Sequence, residues 1–253
     1  MNHYDVSILP SEARYWMMIL GAVVGGFLFV KYFDHLPKEK REPYLKRLGL
    51  ALICISSFLP IYTIVIPEHL FSFHRSLPLH FCSLNIWLIG LNCFFKSRKL
   101  FVYTFFMGLI GGFYSVLTPL LTVGDAPLVI VHYIFVHTAL FTVPIVMIRL
   151  YGMRLKYYDW IRGYLFAAAI STLMVLINSC LNLYVENTGG APANYMFVTV
   201  APAVSNPFLF EGLQWPFYVF PIHLGLFLHM LIINMIYRKR EQNPIVSDPQ
   251  LWQ

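Results

Sequence analysis

The stretch Leu77–Asn85 reads LPLHFCSLN and sets a histidine, a cysteine and an asparagine at the head of an otherwise apolar segment. A thiolate is the nucleophile of cysteine chemistry, an imidazole is a common base for freeing it, and an amide can donate to a developing oxyanion. Pro78 suits the first turn of a helix, where its missing amide hydrogen is not needed, and Ser76 offers a cap. His80, Cys82 and Asn85 are therefore expected to enter a helix from one end, where the helix dipole favours a thiolate at Cys82. The other reading of Cys82 is a small buried apolar residue.

The elements that must position these groups are set by composition. Of 253 residues 58% are hydrophobic and 12% charged, with a mean hydropathy of +0.64. A soluble domain carries roughly 25% charged residues, so the chain is read as an integral membrane protein of the all-α class. Spans of about 20 apolar residues are placed at 14–33, 47–67, 77–95, 99–119, 127–150, 160–185 and 216–237, seven in one bundle (1–240) with a mobile tail (241–253). The first apolar segment is expected to remain as a span, since it shows no clear small-residue cleavage site. Cys54, Cys82, Cys93 and Cys180 all fall inside spans, so a disulfide framework is not expected.

Seven spans leave 16 of the 18 lysines and arginines on one side and only Arg14 and Arg75 on the other. By the positive-inside rule the amino terminus is then outside and the carboxyl terminus cytoplasmic, in a cell membrane. The net charge of +6 is explained by topology and anionic lipid and calls for no nucleic acid. Gly21 with Gly25 in the first span, and Gly108 with Gly111 and Gly112 in the fourth, are read as packing devices.

Polar side chains inside a membrane tend to mark sites. His80 and Cys82 lie roughly 3 and 6 Å below Pro78, and His132 and His137 roughly 8 and 15 Å below Pro127, at about 1.5 Å per residue. Asn178 and His223 each fall about 10 Å below the outer ends of their spans. With Thr118 these make an outer layer, while the inner half holds mainly His229 and Asn234. The asymmetry predicts a cavity open to the outside. Because successive residues are about 100° apart, His80 and Cys82 differ by about 160° and His132 and His137 by about 140°. One member of each pair is expected to face the cavity, with His137 preferred over His132.

The outer loop from Glu186 to Trp215 is long for a compact domain, and its aromatics, Tyr195 among them, predict a lid or an interfacial segment. Glu68, His69 and His74 match no common zinc spacing, and neither a metal nor a cofactor is expected.

LPLHFCSL, KSRKLF, GLIGGFYSVLTP, HYIFVHTALF, LINSCLNLYV with ANYMF, and QWPFYVF, in this order over about 76–237, resemble the YwaF-type bacterial integral membrane family. That resemblance implies a polytopic bundle. More remotely the chain resembles the eukaryotic cysteine-dependent ether-phospholipid acyltransferases, whose nucleophile lies in an N-P-C-H motif at the head of a span. Pro78 and His80 match that motif; Leu79 stands at the nucleophile's position and Cys82 is the nearest thiol. The likeness implies His137 as partner base.

The leading expectation is a lipid-acyl enzyme, an acyltransferase or lipase-like hydrolase acting on membrane phospholipid or a lipid-linked substrate. Cys82 would be nucleophile, His80 or His137 the base, Asn178 or Asn85 an oxyanion donor, and His132, His223 and Tyr195 substrate contacts. The second expectation is a small-solute transporter or receptor-like binding protein using the same outer cavity, and the third a scaffold whose histidines only join helices.

Overall fold

The computed structural model describes residues 6–65, 71–72, 76–188, 192–201 and 212–241. The chain is helical almost throughout: α1 (Ala13–Asp34), α2 (Lys38–Ser56), α3 (Phe58–Val65), α4 (Phe81–Phe95), α5 (Arg98–Leu117), α6 (Pro127–Tyr151), α7 (Asp159–Thr188) and α8 (Val219–Glu241). A short antiparallel pair, β1 (Val6–Ser7) with β2 (Leu120–Leu121), ties the segment before α1 to the end of α5. Among the described residues six helical segments are long and apolar enough to cross a membrane, while α4 is shorter. The protein is a multipass membrane protein.

Helix α5 is the centre of the bundle. It packs on α6, α4 and α7, and every residue from Phe101 to Gly108 is buried. Helix α1 lies against α6, α2 against α4, and α8 against α7. The outward faces of α1, α7 and α8 expose Trp16, Leu20, Phe27, Leu176, Phe220 and Met235, as a surface solvated by lipid requires.

Close approach depends on glycines. A methyl group on Gly108 would stand 2.1 Å from the Leu140 carbonyl oxygen of α6, and one on Gly111 would stand 2.6 Å from the Phe81 ring. In α1 the pattern Gly21/Gly25 does not do this work: Gly25 has nothing within 4 Å, whereas a methyl on Gly26 would meet Thr142 at 2.9 Å. The residue one position on faces α6, and the expected pair is corrected accordingly.

Two boundaries differ from the expected spans for local reasons. The second segment is helical from Lys38 to Val65 with a break at Ser57, where the Ser56 and Ser57 hydroxyls donate back to Leu52 O and Ile53 O and Pro60 supplies no amide hydrogen. The third begins at Phe81 rather than near Pro78. Leu77 N–H donates to the Tyr195 hydroxyl at 3.0 Å, Leu79 N–H turns back to Leu77 O, and His80 takes the extended N-cap conformation. Ser76 is not that cap, since its hydroxyl accepts from Ser72 N–H. Lys96, in the left-handed conformation with φ 48°, closes α4 and turns tightly into α5.

Ion pairs pin the helix ends nearest the basic segments. Arg149 meets Asp34 at 2.7 Å, Lys96 meets Glu42 at 2.7 Å, and Arg98 bonds the fully buried Asp159. At the opposite end Arg14 joins Asp125 of the α5–α6 connection at 2.6 Å. The tail 242–253, expected to be mobile, lies outside the described residues, as do Glu68, His69 and His74.

Candidate functional site

A cavity of about 460 Å³ opens between α3, α4, α5, α6, α7 and α8 beneath the loop that follows α7. That volume falls in the range of small-molecule sites, about 300–1,000 Å³. The wall from α5 is a single helical face, Tyr103, Met107, Ile110, Gly111, Tyr114, Ser115 and Thr118, spaced by three and four with neighbours. None of the described lining residues is Asp, Glu, Lys or Arg. A site of this kind holds uncharged groups by hydrogen bonds and apolar contact.

Of the expected residues, His80, Cys82, His132, His137 and His223 all line this cavity. The expectation that one of each pair would face it is corrected. His80 precedes the helix with φ −64° and ψ 149°, so the angle separating helical positions does not apply to it. His132 and His137 both contribute because the cavity wraps the outer part of α6, reaching α3 on one side and α5 on the other. His132 Nε2–H donates to Ile55 O at 3.0 Å, and its ring packs on Phe58.

The hydrogen bonds fix tautomers, since a carbonyl oxygen only accepts. His137 Nδ1–H donates to Tyr133 O at 2.7 Å, leaving Nε2 as the unprotonated nitrogen. His132 is held the other way, with Nδ1 as its unprotonated nitrogen. In its neutral form each imidazole keeps one lone pair free to act as base.

Among the described residues no hydrogen bond joins Cys82 to an imidazole. Its Sγ lies 3.4 Å from Ser115 Oγ, within sulfur hydrogen-bond reach. The Tyr133 hydroxyl donates to Ser115 O at 2.8 Å, and the Tyr133 ring lies against His137 with centroids 3.9 Å apart. Ser115 thus meets the thiol with its hydroxyl and Tyr133 with its backbone carbonyl, and Tyr133 in turn packs on the imidazole. Of the other cysteines, all of them free, Cys93 is buried in the core while Cys54 and Cys180 are exposed on the bundle's outer surface.

Asn178 and Tyr195 form the lid's anchor and do not line the cavity. Asn178, fully buried, accepts from Tyr195 N–H and donates to Tyr195 O, each at 3.0 Å, so both amide atoms are committed. Tyr195 is also buried, and burial pushes its phenol up to about 12. Met196, Phe197 and Val198 roof the cavity, with Met196 and Phe197 at φ 58° and 53° in the left-handed region that bulky residues rarely adopt. Trp215 Nε1–H and the Tyr218 hydroxyl hold this roof by donating to Val198 O and Phe197 O. His80 packs beneath it, edge-on to Tyr195 with ring centroids 5.0 Å apart. The expected lid is therefore present in residues 192–201.

Asn85 sits one turn beyond Cys82, fully buried, facing α5 near Gly108, and neither of its amide atoms has a partner among the described residues. It does not line the cavity. His223, by contrast, does, bonded to Ser171 Oγ at 3.2 Å.

Ser115, Tyr114, Tyr133 and Ser171 were missed. Tyr114 and Ser115 are adjacent polar residues on the glycine-lined face of α5, a signal available in GGFYSV. His229, assigned to the inner half, lines the same cavity, which extends further along α8 than an outer layer would.

No curated protein and no solved structure matches the chain. A family model does, over residues 9–234, nearly the whole bundle and every residue of the cavity wall. The chain belongs to the TMEM164 family.

Proposed function

We propose that the protein is a lipid-acyl enzyme, an acyltransferase or hydrolase, with Cys82 as nucleophile. The observation that carries the reading is the thiol at the head of α4 opening onto a charge-free cavity shared with His137, whose ring is a neutral base. In the first step the thiol, hydrogen-bonded to Ser115 Oγ, gives its proton to His137 Nε2 or to His80, which share its cavity, as the sulfur attacks an ester carbonyl. The alcohol leaves with that proton and a thioester remains on Cys82.

Oxyanion donors are available at the start of α4. His80 provides no side-chain cap, and the first N–H groups of a helix have no intrahelical acceptor. The amides of Phe81, Cys82 and Ser83 point along the dipole where negative charge develops. Neither Asn85 nor Asn178 lines the cavity, and both are replaced in that role by these amides.

The chain fits a membrane with seven spans, α4 completing the set with the non-helical Leu77–His80 segment before it. The sixteen basic residues gathered on one side support an external amino terminus and a cytoplasmic carboxyl terminus in a cell membrane, and the resemblance to the YwaF-type family is what supports a bacterial plasma membrane. Membrane phospholipid is both solvent and substrate.

The test uses purified full-length protein in lipid nanodiscs containing phospholipid labelled in its acyl chain. Wild type is expected to carry a hydroxylamine-sensitive acyl group on Cys82, and Cys82→Ala to lose both that group and lipid turnover. Unchanged turnover in Cys82→Ala removes the thiol from the mechanism. Absence of any turnover together with retention of a small polar solute favours the second reading, a binding or transport protein.

A further inference from the structure

The cavity that Cys82 lines holds a second polar pair that thiol chemistry leaves unused. The Tyr114 hydroxyl lies 3.0 Å from His229 Nε2. His229 Nδ1–H donates to Gly225 O at 2.7 Å, so Nε2 is the unprotonated nitrogen and the phenol is the donor. Both side chains line the cavity. Tyr114 and Ser115 are consecutive on α5, about 100° apart, so one turn of helix presents Ser115 to the thiol and Tyr114 to α8.

Acyl transfer has two proton problems. Forming the thioester removes a proton from sulfur, and resolving it removes one from the hydroxyl that receives the acyl group. His80 and His137 lie on the Cys82 side and answer the first. A phenol already donating to an imidazole can accept a proton as it passes its own on, without bearing charge.

Resting on the Cys82 reading, we infer that Tyr114 and His229 are the proton acceptor for the incoming hydroxyl, either a lipid alcohol or water. The acceptor O–H gives its proton to Tyr114 Oη as the phenol proton moves to His229 Nε2. The acceptor oxygen bonds the thioester carbonyl carbon, and the C–S bond breaks with its electron pair going to Cys82. The proton held on His229 then returns through Tyr114 to the sulfur, regenerating thiol, phenol and neutral imidazole. Tyr114 touches the acceptor and is the catalytic residue in this scheme, and His229, acting through the phenol, is a positioning residue.

The experiment separates the two steps in nanodiscs, with oleoyl phosphatidylcholine as labelled donor and a lysophospholipid as acceptor. In Tyr114→Phe and His229→Gln, transfer to the acceptor is expected to fall roughly 100-fold, in the range of general acid–base catalysis, while acyl-Cys82 forms and accumulates. Phe keeps the ring contact with His229, which guards against loss of fold. Wild-type transfer rates in both variants, or acylation falling in parallel with transfer, overturn the pair's role and leave Cys82 as nucleophile. A wild-type protein that transfers acyl groups without ever carrying one on Cys82 overturns both.

Discussion

Cys82 and Ser115, on antiparallel neighbours α4 and α5, bring sulfur and hydroxyl to 3.4 Å at the wall of the cavity. The contact is possible because Gly111, one turn before Ser115, leaves room for the Phe81 ring next to Cys82. A hydroxyl donating to a thiolate is a charged hydrogen bond, worth about 1.5–3 kcal/mol. Ser115→Ala is therefore expected to slow alkylation of Cys82 by a lipid-soluble maleimide by about tenfold or more. Equal rates in the variant and wild type show that Ser115 only packs against the sulfur.

Asn178 holds the roof by two hydrogen bonds to one residue, Tyr195, each at 3.0 Å. Asn178→Leu leaves a buried N–H and C=O unpaired, at about 1–3 kcal/mol each. Hydrogen exchange across 192–201 is expected to accelerate strongly while exchange in α5 stays slow. Unchanged exchange means that Trp215 and Tyr218 suffice to hold the roof.

Glycine positions in α1 and α5 give opposite outcomes. Gly108→Ala forces a methyl against a backbone oxygen and is expected to lower stability by about 1–3 kcal/mol or more. Gly25→Ala meets nothing within 4 Å and should be neutral or stabilising by up to about 1 kcal/mol. Thermal unfolding in one detergent checks both, and equal losses contradict the assigned helix contacts.

The clamp between Arg14 and Asp125 adds a pH dependence. The Arg14 hydrogen bond holds the Asp125 carboxyl below its ordinary range, and Glu12 is lowered too, by the Leu9 N–H and by Arg14. A depressed carboxylate contributes stability above its unfolded pKa of about 3.9. That contribution is lost as pH falls through the folded value. Asp125→Asn is expected to flatten the acid limb of a melting-temperature profile below about pH 4 and leave the neutral region level with pH. An unchanged acid limb assigns the dependence to other carboxylates.

Helices α1, α5 and α6 were legible because long apolar runs with few charges specify them locally, with Pro127 opening α6 and Gly152, at φ 63°, closing it. The gathering of His80, Cys82 and His137 followed from depth along those helices. What the sequence could not show was set by contacts between distant residues. Pro78 looks like a helix start, yet Tyr195, 118 positions beyond Leu77, holds that segment out of the helix. That one contact makes helical angles inapplicable to His80. The sequence leaves Asn178 looking available to substrate because its partner lies in a loop without periodicity, and places His229 in the inner half because depth alone does not show how far a cavity extends.

The hydroxyl of Tyr195 therefore decides where α4 begins, and its removal tests how the site is organised. Its raised pKa keeps the phenol protonated and neutral through the physiological range, so the contact with Leu77 N–H persists across that range. Tyr195→Phe keeps the ring beneath which His80 packs and leaves a mostly buried N–H unpaired, a loss of about 1–3 kcal/mol. Amide exchange is expected to rise over 77–84 and to stay unchanged in α6. Under the proposed acyl chemistry, turnover is expected to fall further than stability, because the amides at the start of α4 and the His80 ring move together. If exchange over 77–84 is unaltered, the turn from Leu77 to Leu79 is self-sufficient and the lid does not position the head of α4.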